Sequence, residues 1–285
     1  MTNSQEQLSG RRIVVKLGGE IMLNRAGLDG ITRDVASLVD GGAAVALVHG
    51  GGPQADVLAA RLGHTVLKVA GRRVTDDDAL EVAKMVYGGS ISLELLAGLR
   101  RQGARPVGLS GVDAGMITVA RRPPTIMKDP ATGLEEIVDF GHVGDIEQVD
   151  TSLLDLLMER GYVPVVASLA ADEQGNLYNV NADTIAQALA VALRADRLVL
   201  VTNVPGIMLD LADPETLIER CNVEQLRGLI ESGVISGGMV PKAQNCIEAV
   251  EAGVSAVLIL DGTSDTSILL AGIRGEPVGT LVTQA

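Results

Sequence analysis

Aromatic residues are nearly missing from this 285-residue chain, which has no Trp, one Phe and three Tyr. Stacking platforms for nucleobases are therefore excluded, and the core must be assembled from the Val, Leu, Ile and Ala that dominate the 47% apolar content. Cysteine and histidine are equally sparse. Cys221 and Cys246 lie far apart in sequence and near no histidine cluster, and His49, His64 and His142 show no ligand spacing. That excludes a disulfide framework and a zinc site; the thiols read as small core residues or inert surface groups. Positive charge is also short. A net charge of −13 repels a phosphate backbone and an anionic membrane, leaving room only for a local basic pocket that takes one nucleotide. No apolar run reaches the ~20 residues of a bilayer span, and the polar start Met1–Arg12 has no export-signal pattern. The expectation is a cytoplasmic protein with neither nucleic acid nor membrane as partner.

Short β-branched runs alternate with longer amphipathic ones, the pattern of parallel strands joined by crossover helices. Expected strands are Arg12–Leu17, Ala44–His49, Pro106–Ser110, Val163–Ser168, Leu198–Thr202 and the wholly apolar Ala256–Leu260. Expected helices are Asp29–Asp40, Gln54–Leu62 after Pro53, Asp76–Gln102, Thr151–Arg160, Ala182–Leu193 and Pro241–Ala252, the third kinked at Gly88-Gly89. Thr65–Thr75 and Met116–Asp145 instead carry turns and alternating residues. They predict hairpins projecting from the sheet, suited to a lid over a substrate.

Two glycine motifs carry chemistry. Lys16-Leu17-Gly18-Gly19 ends an apolar strand, where glycines permit either a tight turn or close approach of backbone N–H groups to phosphate oxygens. His49-Gly50-Gly51-Gly52-Pro53 lies between a strand and a helix and leaves the positive end of the helix dipole open to an anion. It is not a Walker A loop, since no Gly-Lys-Ser/Thr follows, and its glycine spacing is not that of a dinucleotide fingerprint. Taken alone, Lys16 and Lys242 are compatible with solvated surface charges, and Asp183 with a cap at a helix start.

With Gly71-Arg72-Arg73-Val74-Thr75-Asp76, Tyr178-Asn179-Val180-Asn181-Ala182-Asp183, Thr202-Asn203-Val204-Pro205-Gly206 and Gly237-Gly238-Met239-Val240-Pro241-Lys242, six motifs follow in order. From about Ile13 onward the chain resembles the amino-acid kinase family, and within it the acetylglutamate kinases. The resemblance implies an α/β fold, a three-layer αβα sandwich with a largely parallel central sheet shared by two lobes. Residues 1–195 would bind the acceptor and 196–285 would bind ATP. It implies transfer of the ATP γ-phosphoryl group to the γ-carboxylate of N-acetyl-L-glutamate, in arginine biosynthesis. Lys16 and Lys242 would stabilise the transition state and Asp183 would organise them. Gly51, Gly52, Arg73 and Asn179 would bind the acceptor, with Arg73 forming a bidentate pair with a carboxylate. Gly18, Gly19, Asn203, Gly206, Gly238 and Met239 would line the ATP phosphates and nucleotide. Mg2+ would be held mainly by phosphates and water, with no protein ligand.

The same resemblance implies a homodimer insensitive to arginine. About a dozen residues precede the first strand, too few for the long N-terminal helix of arginine-inhibited members, and Ala271 stands where those carry an acidic residue. A regulatory signalling protein is a further partner open to the family. The nearest rival is a kinase for α-aminoadipate or glutamate borne on an acidic carrier protein, for which Arg72-Arg73 and Arg121-Arg122 would supply a basic patch. A rival of another class is a non-catalytic amino-acid or nucleotide sensor.

Overall fold

The computed structural model describes residues 8–69, 71–128, 135–210, 213–235, 239–263 and 267–285. Strand β1 (Arg12–Leu17) passes through a short 3-10 turn at Ile21–Leu23 into α1 (Arg25–Asp40), where Asn24 caps the helix by accepting the Gly27 N–H. Strand β2 (Ala44–His49) leads through its glycines to α2 (Gly52–Arg61), whose first turn holds Pro53, where a missing N–H costs nothing. The hairpin β3 (Lys68–Val69) and β4 (Arg72–Arg73) precedes α3 (Asp77–Met85), capped by Asp76. A π-helical turn, Val86–Ile91, absorbs Gly88-Gly89 and carries the axis into α4 (Ser92–Arg101). The expected kink is therefore a π turn in a helix continuous over Asp77–Arg101.

The chain continues through β5 (Pro106–Ser110), β6 (Ile117–Arg121), β7 (Thr125–Lys128), β8 (Glu135–Val138), β9 (Gly144–Val149) and α5 (Ser152–Glu159). Next come β10 (Val163–Ala167), β11 (Leu169–Ala171), β12 (Leu177–Asn179), α6 (Ala182–Ala192) and β13 (Arg197–Thr202). The last elements are β14 (Arg220–Asn222), α7 (Val223–Glu231), α8 (Met239–Glu251), β15 (Ala256–Asp261), α9 (Ile268–Ile273) and β16 (Thr280–Thr283).

The central sheet has the order β14-β16-β15-β13-β1-β2-β10-β5, and its six strands from β15 to β5 run parallel. β16 is antiparallel to β15 and β14 follows β16, so this edge runs the other way. Side-chain alternation along β1 separates two cores. Val14 packs with Leu154 of α5, Ile185 and Leu189 of α6, Leu226 of α7 and Cys246 of α8, while Ile13, Val15 and Leu17 pack with Ile31 and Leu38 of α1, Leu95 and Leu99 of α4 and Leu269 of α9. Helices thus cover both faces in three layers, as the sequence led one to expect. A smaller sheet, β12-β11-β6-β9, brings the end of β12 toward the central sheet's carboxyl edge, and β7 pairs with β8 in a separate hairpin.

All six expected strands form within a residue of their expected bounds. The residue 195 boundary falls in the turn between α6 and β13, and β13 then joins the sheet directly beside β1. One sequence reading needs correction. The Asp77–Arg101 helix is long and apolar enough to meet the composition of a membrane span, but half of that stretch is buried, with Val82, Val86, Ile91, Leu95 and Leu99 in the core. Its apolar length reflects packing against the sheet.

Candidate functional site

β1 is the switch point of the sheet: from it the chain crosses to β2 on one side, and β13 arrives on the other. Beyond the carboxyl ends of such strands a crevice opens that parallel α/β proteins use for ligands. Lys16 stands there, in register with Val48 of β2 and Leu200 of β13. Strand alternation places it on the same face as Val14, the face covered by α6. Its ammonium meets Asp183 in the first turn of α6 at 2.8 Å, with side-chain exposures of 13% and 21%.

Asp183 is not the cap of that helix. Asn181 holds the N-cap position and accepts the Asp183 N–H at 2.7 Å, leaving the Asp183 carboxylate free for the lysine. Lys242, in the first turns of α8, reaches the site from the other side and donates to Thr202 Oγ1 at the end of β13, 3.2 Å away. Burial, and secondarily repulsion from Lys16, hold the Lys242 amine below the usual lysine range, while Asp183 opposes that shift. One carboxylate therefore sits in the fields of both cations, and the cluster keeps a net positive charge.

The two glycine loops meet beside it. A Cβ on Gly19 would lie 2.7 Å from Pro53 Cδ, so Gly19 lets the β1 loop press against the start of α2. The Gly18 N–H already donates to the Val201 carbonyl at 3.1 Å, so of its two candidate roles the turn is the one in place. Gly51 has no room for a side chain, since a Cβ would come 2.2 Å from Ile91 Cδ1 and 2.9 Å from Tyr87, whereas Gly52 faces open space. His49 is fully buried, its ring Nδ1 lies 2.9 Å from the Gly50 carbonyl, and burial lowers its pKa. A carbonyl only accepts, so Nδ1 carries the proton and the ring is neutral.

Arg73, on the β3–β4 hairpin, donates to the Gly52 carbonyl at 3.0 Å and is ion-paired with Asp56 of α2. The hairpin is anchored through Thr75, whose N–H donates to Phe140 and whose carbonyl accepts from His142. Asn179, at the end of β12, donates to Thr75 Oγ1 at 3.1 Å. Arg73 and Asn179 are thus both tied to the hairpin that leans on the glycine loop, while Arg72, the neighbour of Arg73, is exposed.

On the β13 side, Asn203 is exposed next to Thr202, and Met239 lies half-buried at the start of α8. Gly206 is required by close packing: a Cβ there would sit 2.5 Å from Thr280 Oγ1, which accepts the Ile207 N–H. Gly238 lies outside the described residues. Among those described, no group of three or more His, Cys, Asp or Glu is placed to hold a metal. Burial raises both thiols, Cys221 to about 11, and both are free and enclosed.

Sequence reading passed over two residues of this site. Thr202 orients Lys242, and Gln54 donates from Nε2 to the Gly19 carbonyl at 2.8 Å, joining the glycine loops. A polar amide directly after Gly-Gly-Gly-Pro, at the start of a helix, was the available signal for the second.

The arrangement concentrates positive charge beside two glycine loops, a setting suited to an anion. The amino acid kinase family model matches residues 11–261. Acetylglutamate kinase from Anaeromyxobacter dehalogenans is 44% identical, covering 95% of this chain and 99% of its own. Acetylglutamate kinase from Methanothermobacter thermautotrophicus is 37% identical, covering 96% and 94%. Among solved structures, N-acetylglutamate synthase from Neisseria gonorrhoeae, complexed with coenzyme A and N-acetyl-glutamate, aligns with a TM-score of 0.82 at 25% identity. That alignment covers 99% of this chain but spans 61% of the synthase. Carbamate kinase from Giardia lamblia aligns with a TM-score of 0.69 at 17% identity, covering 98% of this chain and all of its own, and shares the fold.

Proposed function

The chain belongs to the amino acid kinase family, and from that premise we propose that it transfers the γ-phosphoryl group of ATP to the γ-carboxylate of N-acetyl-L-glutamate, giving an acyl phosphate and ADP. The observation that carries this reading is the Lys16–Asp183 pair with Lys242 beside it, set between the two glycine loops at the switch point. The near full-length identity to acetylglutamate kinases supports the choice of acceptor. The reaction is a step of amino-acid biosynthesis, on the route to arginine.

In this reading residues up to 195 hold the acceptor and those from 196 hold the nucleotide. A carboxylate oxygen attacks the γ-phosphorus, the bond to the β–γ bridging oxygen breaks, and its electron pair leaves on ADP. The acceptor is ionised at neutral pH, so no general base is needed. Lys16 and Lys242 balance the charge that spreads over the migrating group, and Asp183 keeps them from repelling each other out of line. Arg73 and Asn179 take the acceptor's polar groups, while the Gly51 and Gly52 N–H groups face the reacting carboxylate and the phosphoryl oxygens. Asn203, Gly206 and Met239 border the nucleotide, with Gly19 near its phosphates. Asp183 is committed to Lys16, so Mg2+ would come with the ATP phosphates and water, neutralising their oxygens.

The carrier-protein alternative needs a basic patch that this surface offsets. Arg73 is paired with Asp56, Arg121 with Asp139 at 2.9 Å and Arg122 with Asp145 at 2.5 Å, which offsets three of the four charges expected to draw an acidic carrier. We place the chain in the cytoplasm as a homodimer, its contact formed by the outer side of the Asp77–Arg101 helix, where Met85 and Leu93 are 49% and 64% exposed.

The test is ADP release with Mg-ATP and each of N-acetyl-L-glutamate, L-glutamate and α-aminoadipate, with hydroxylamine trapping of the acyl phosphate. Turnover that depends on acetylglutamate and is lost in Lys16→Ala and Lys242→Ala is the expected result. No turnover with any free acid would sink the proposal.

A further inference from the structure

Among the described residues, three buried side-chain atoms able to hydrogen-bond have no partner: Asp34 Oδ1, His49 Nε2 and Gln54 Oε1. Two of these flank the same glycine run. A buried polar atom without a partner costs stability, so a residue that keeps one needs another reason for its chemistry. For His49 that reason is visible, since Nδ1–H fixes the Gly50 carbonyl and leaves Nε2 as an unused lone pair.

Gln54 presents a different geometry. Its Nε2 donates to Gly19 on the β1 loop, while its backbone belongs to the first turn of α2, directly after Gly51 and Gly52. Its Oε1 is packed 3.4 Å from where a Gly19 Cβ would be, in apolar company with Pro53. Among the described residues, only this amide hydrogen bond crosses between the loops. A Met or Leu would fill the same space without an orphaned oxygen.

We infer that Gln54 is a positioning residue for phosphoryl transfer: its amide sets the spacing between the β1 loop, on the phosphate side, and the Gly51-Gly52 loop, on the acceptor side. Each substrate takes most of its binding contacts away from this bridge, the acceptor from Arg73 and Asn179 and the nucleotide from residues beyond 196, so binding does not depend on that spacing. In-line transfer does, because a misplacement of about 1 Å at the reacting atoms costs about 100-fold in rate. The inference rests on the phosphotransferase reading.

The experiment compares wild type, Gln54→Met and Gln54→Glu by steady-state kinetics from pH 5.5 to 8, with thermal melting of each. The acceptor is N-acetyl-L-glutamate, or whichever acid the wild type turns over. For Gln54→Met the expected result is a kcat lower by about 10- to 100-fold, with KM for ATP and acceptor within about 3-fold and an unchanged or higher Tm. Gln54→Glu keeps the oxygen and loses the donor, so at pH 8 its carboxylate faces the Gly19 carbonyl. Its kcat relative to wild type is expected to recover as pH falls and the protonated carboxyl donates in place of the amide. A Gln54→Met chain that retains kcat within about 3-fold, or that melts well below wild type or fails to fold, overturns the inference, the latter by making Gln54 a structural residue. A flat kcat ratio for Gln54→Glu across the pH range also overturns it. Absence of wild-type turnover with every acid defeats instead the function on which the inference rests.

Discussion

At the scale of single residues, adjacent glycines have different reasons to be glycine. Gly51 is closed in by Ile91 and Tyr87, so Gly51→Ala must displace the π turn and is expected to lower stability by about 1–3 kcal/mol. Gly52 has open space above it, and Gly52→Ala is expected to melt like wild type while its methyl, standing in the space proposed for the acceptor, lowers kcat/KM at least ~10-fold. Paired melts and kinetics check both; an inactive, stable Gly51→Ala would reverse the assignment. His49 gives a pH signature. Burial lowers its pKa below the 6.5 usual for histidine, so the folded chain keeps it neutral while the unfolded chain protonates it as pH falls. The stabilisation is fully present above pH 6.5 and is lost as pH drops through the folded pKa, by up to about 1.4 kcal/mol per unit. His49→Asn, which keeps a donor near the Nδ1 position, is expected to show a shallower loss of urea-unfolding stability between pH 6.5 and 5. Equal slopes would refute this. The charged and glycine residues of the candidate site were legible through six motifs in order, since a strand-end Lys or a glycine pair taken alone is equally compatible with a surface charge or a tight turn. The division of labour between Gly18, whose N–H is already taken, and Gly19 was not, because it depends on which carbonyl of β13 lies opposite.

At the scale of elements, the central strands were legible because burial on both faces demands continuous apolar runs, as in Ala256–Leu260. The edge was not. β14 is Arg-Cys-Asn, three residues with no apolar run, and β16 is a four-residue Thr-Leu-Val-Thr whose pairing with β15 is fixed by tertiary contact. α7 did leave a signal, the reciprocal capping box between Asn222 and Gln225. α9 left none, because its cap is supplied from another element. Ser267 makes no side-chain cap there, and Asp34 of α1, 236 residues away, accepts the Leu270 N–H at 3.0 Å. Burial raises the pKa of this carboxyl, and the hydrogen bonds from Leu270, Ser267 and Leu269 oppose the shift. Removing the acceptor in Asp34→Ala is expected to cost about 1–2 kcal/mol and to speed amide exchange in Ile268–Ile273 ahead of the rest of the chain. Exchange in α9 that stays level with wild type would mean that the helix is held by Leu269 and Ile273 packing alone.

At the scale of the whole molecule, the separation of the proposed catalytic groups from the proposed subunit contact makes the quaternary reading testable. Lys16, Asp183, Lys242, Arg73 and Asn179 are brought together within one chain, around the carboxyl edge of the sheet. Met85 and Leu93 belong to the outer side of the helical layer, on the same continuous helix that presents Tyr87 and Ile91 inward beneath Gly51. Each chain carries a net charge of −13, so two copies repel at long range, and the proposed contact relies on apolar burial at short range. A charge on that patch should therefore act strongly. Leu93→Glu, combined with Met85→Glu, is expected to halve the mass seen by light scattering. The separated chains should keep measurable acetylglutamate-dependent turnover, with kcat reduced by the loss of support under the glycine loop. Salt sharpens the test, since screening weakens the repulsion and added NaCl should shift wild type toward the dimer but leave the double variant monomeric. A double variant that remains twice the chain's mass would place the subunit contact on another surface.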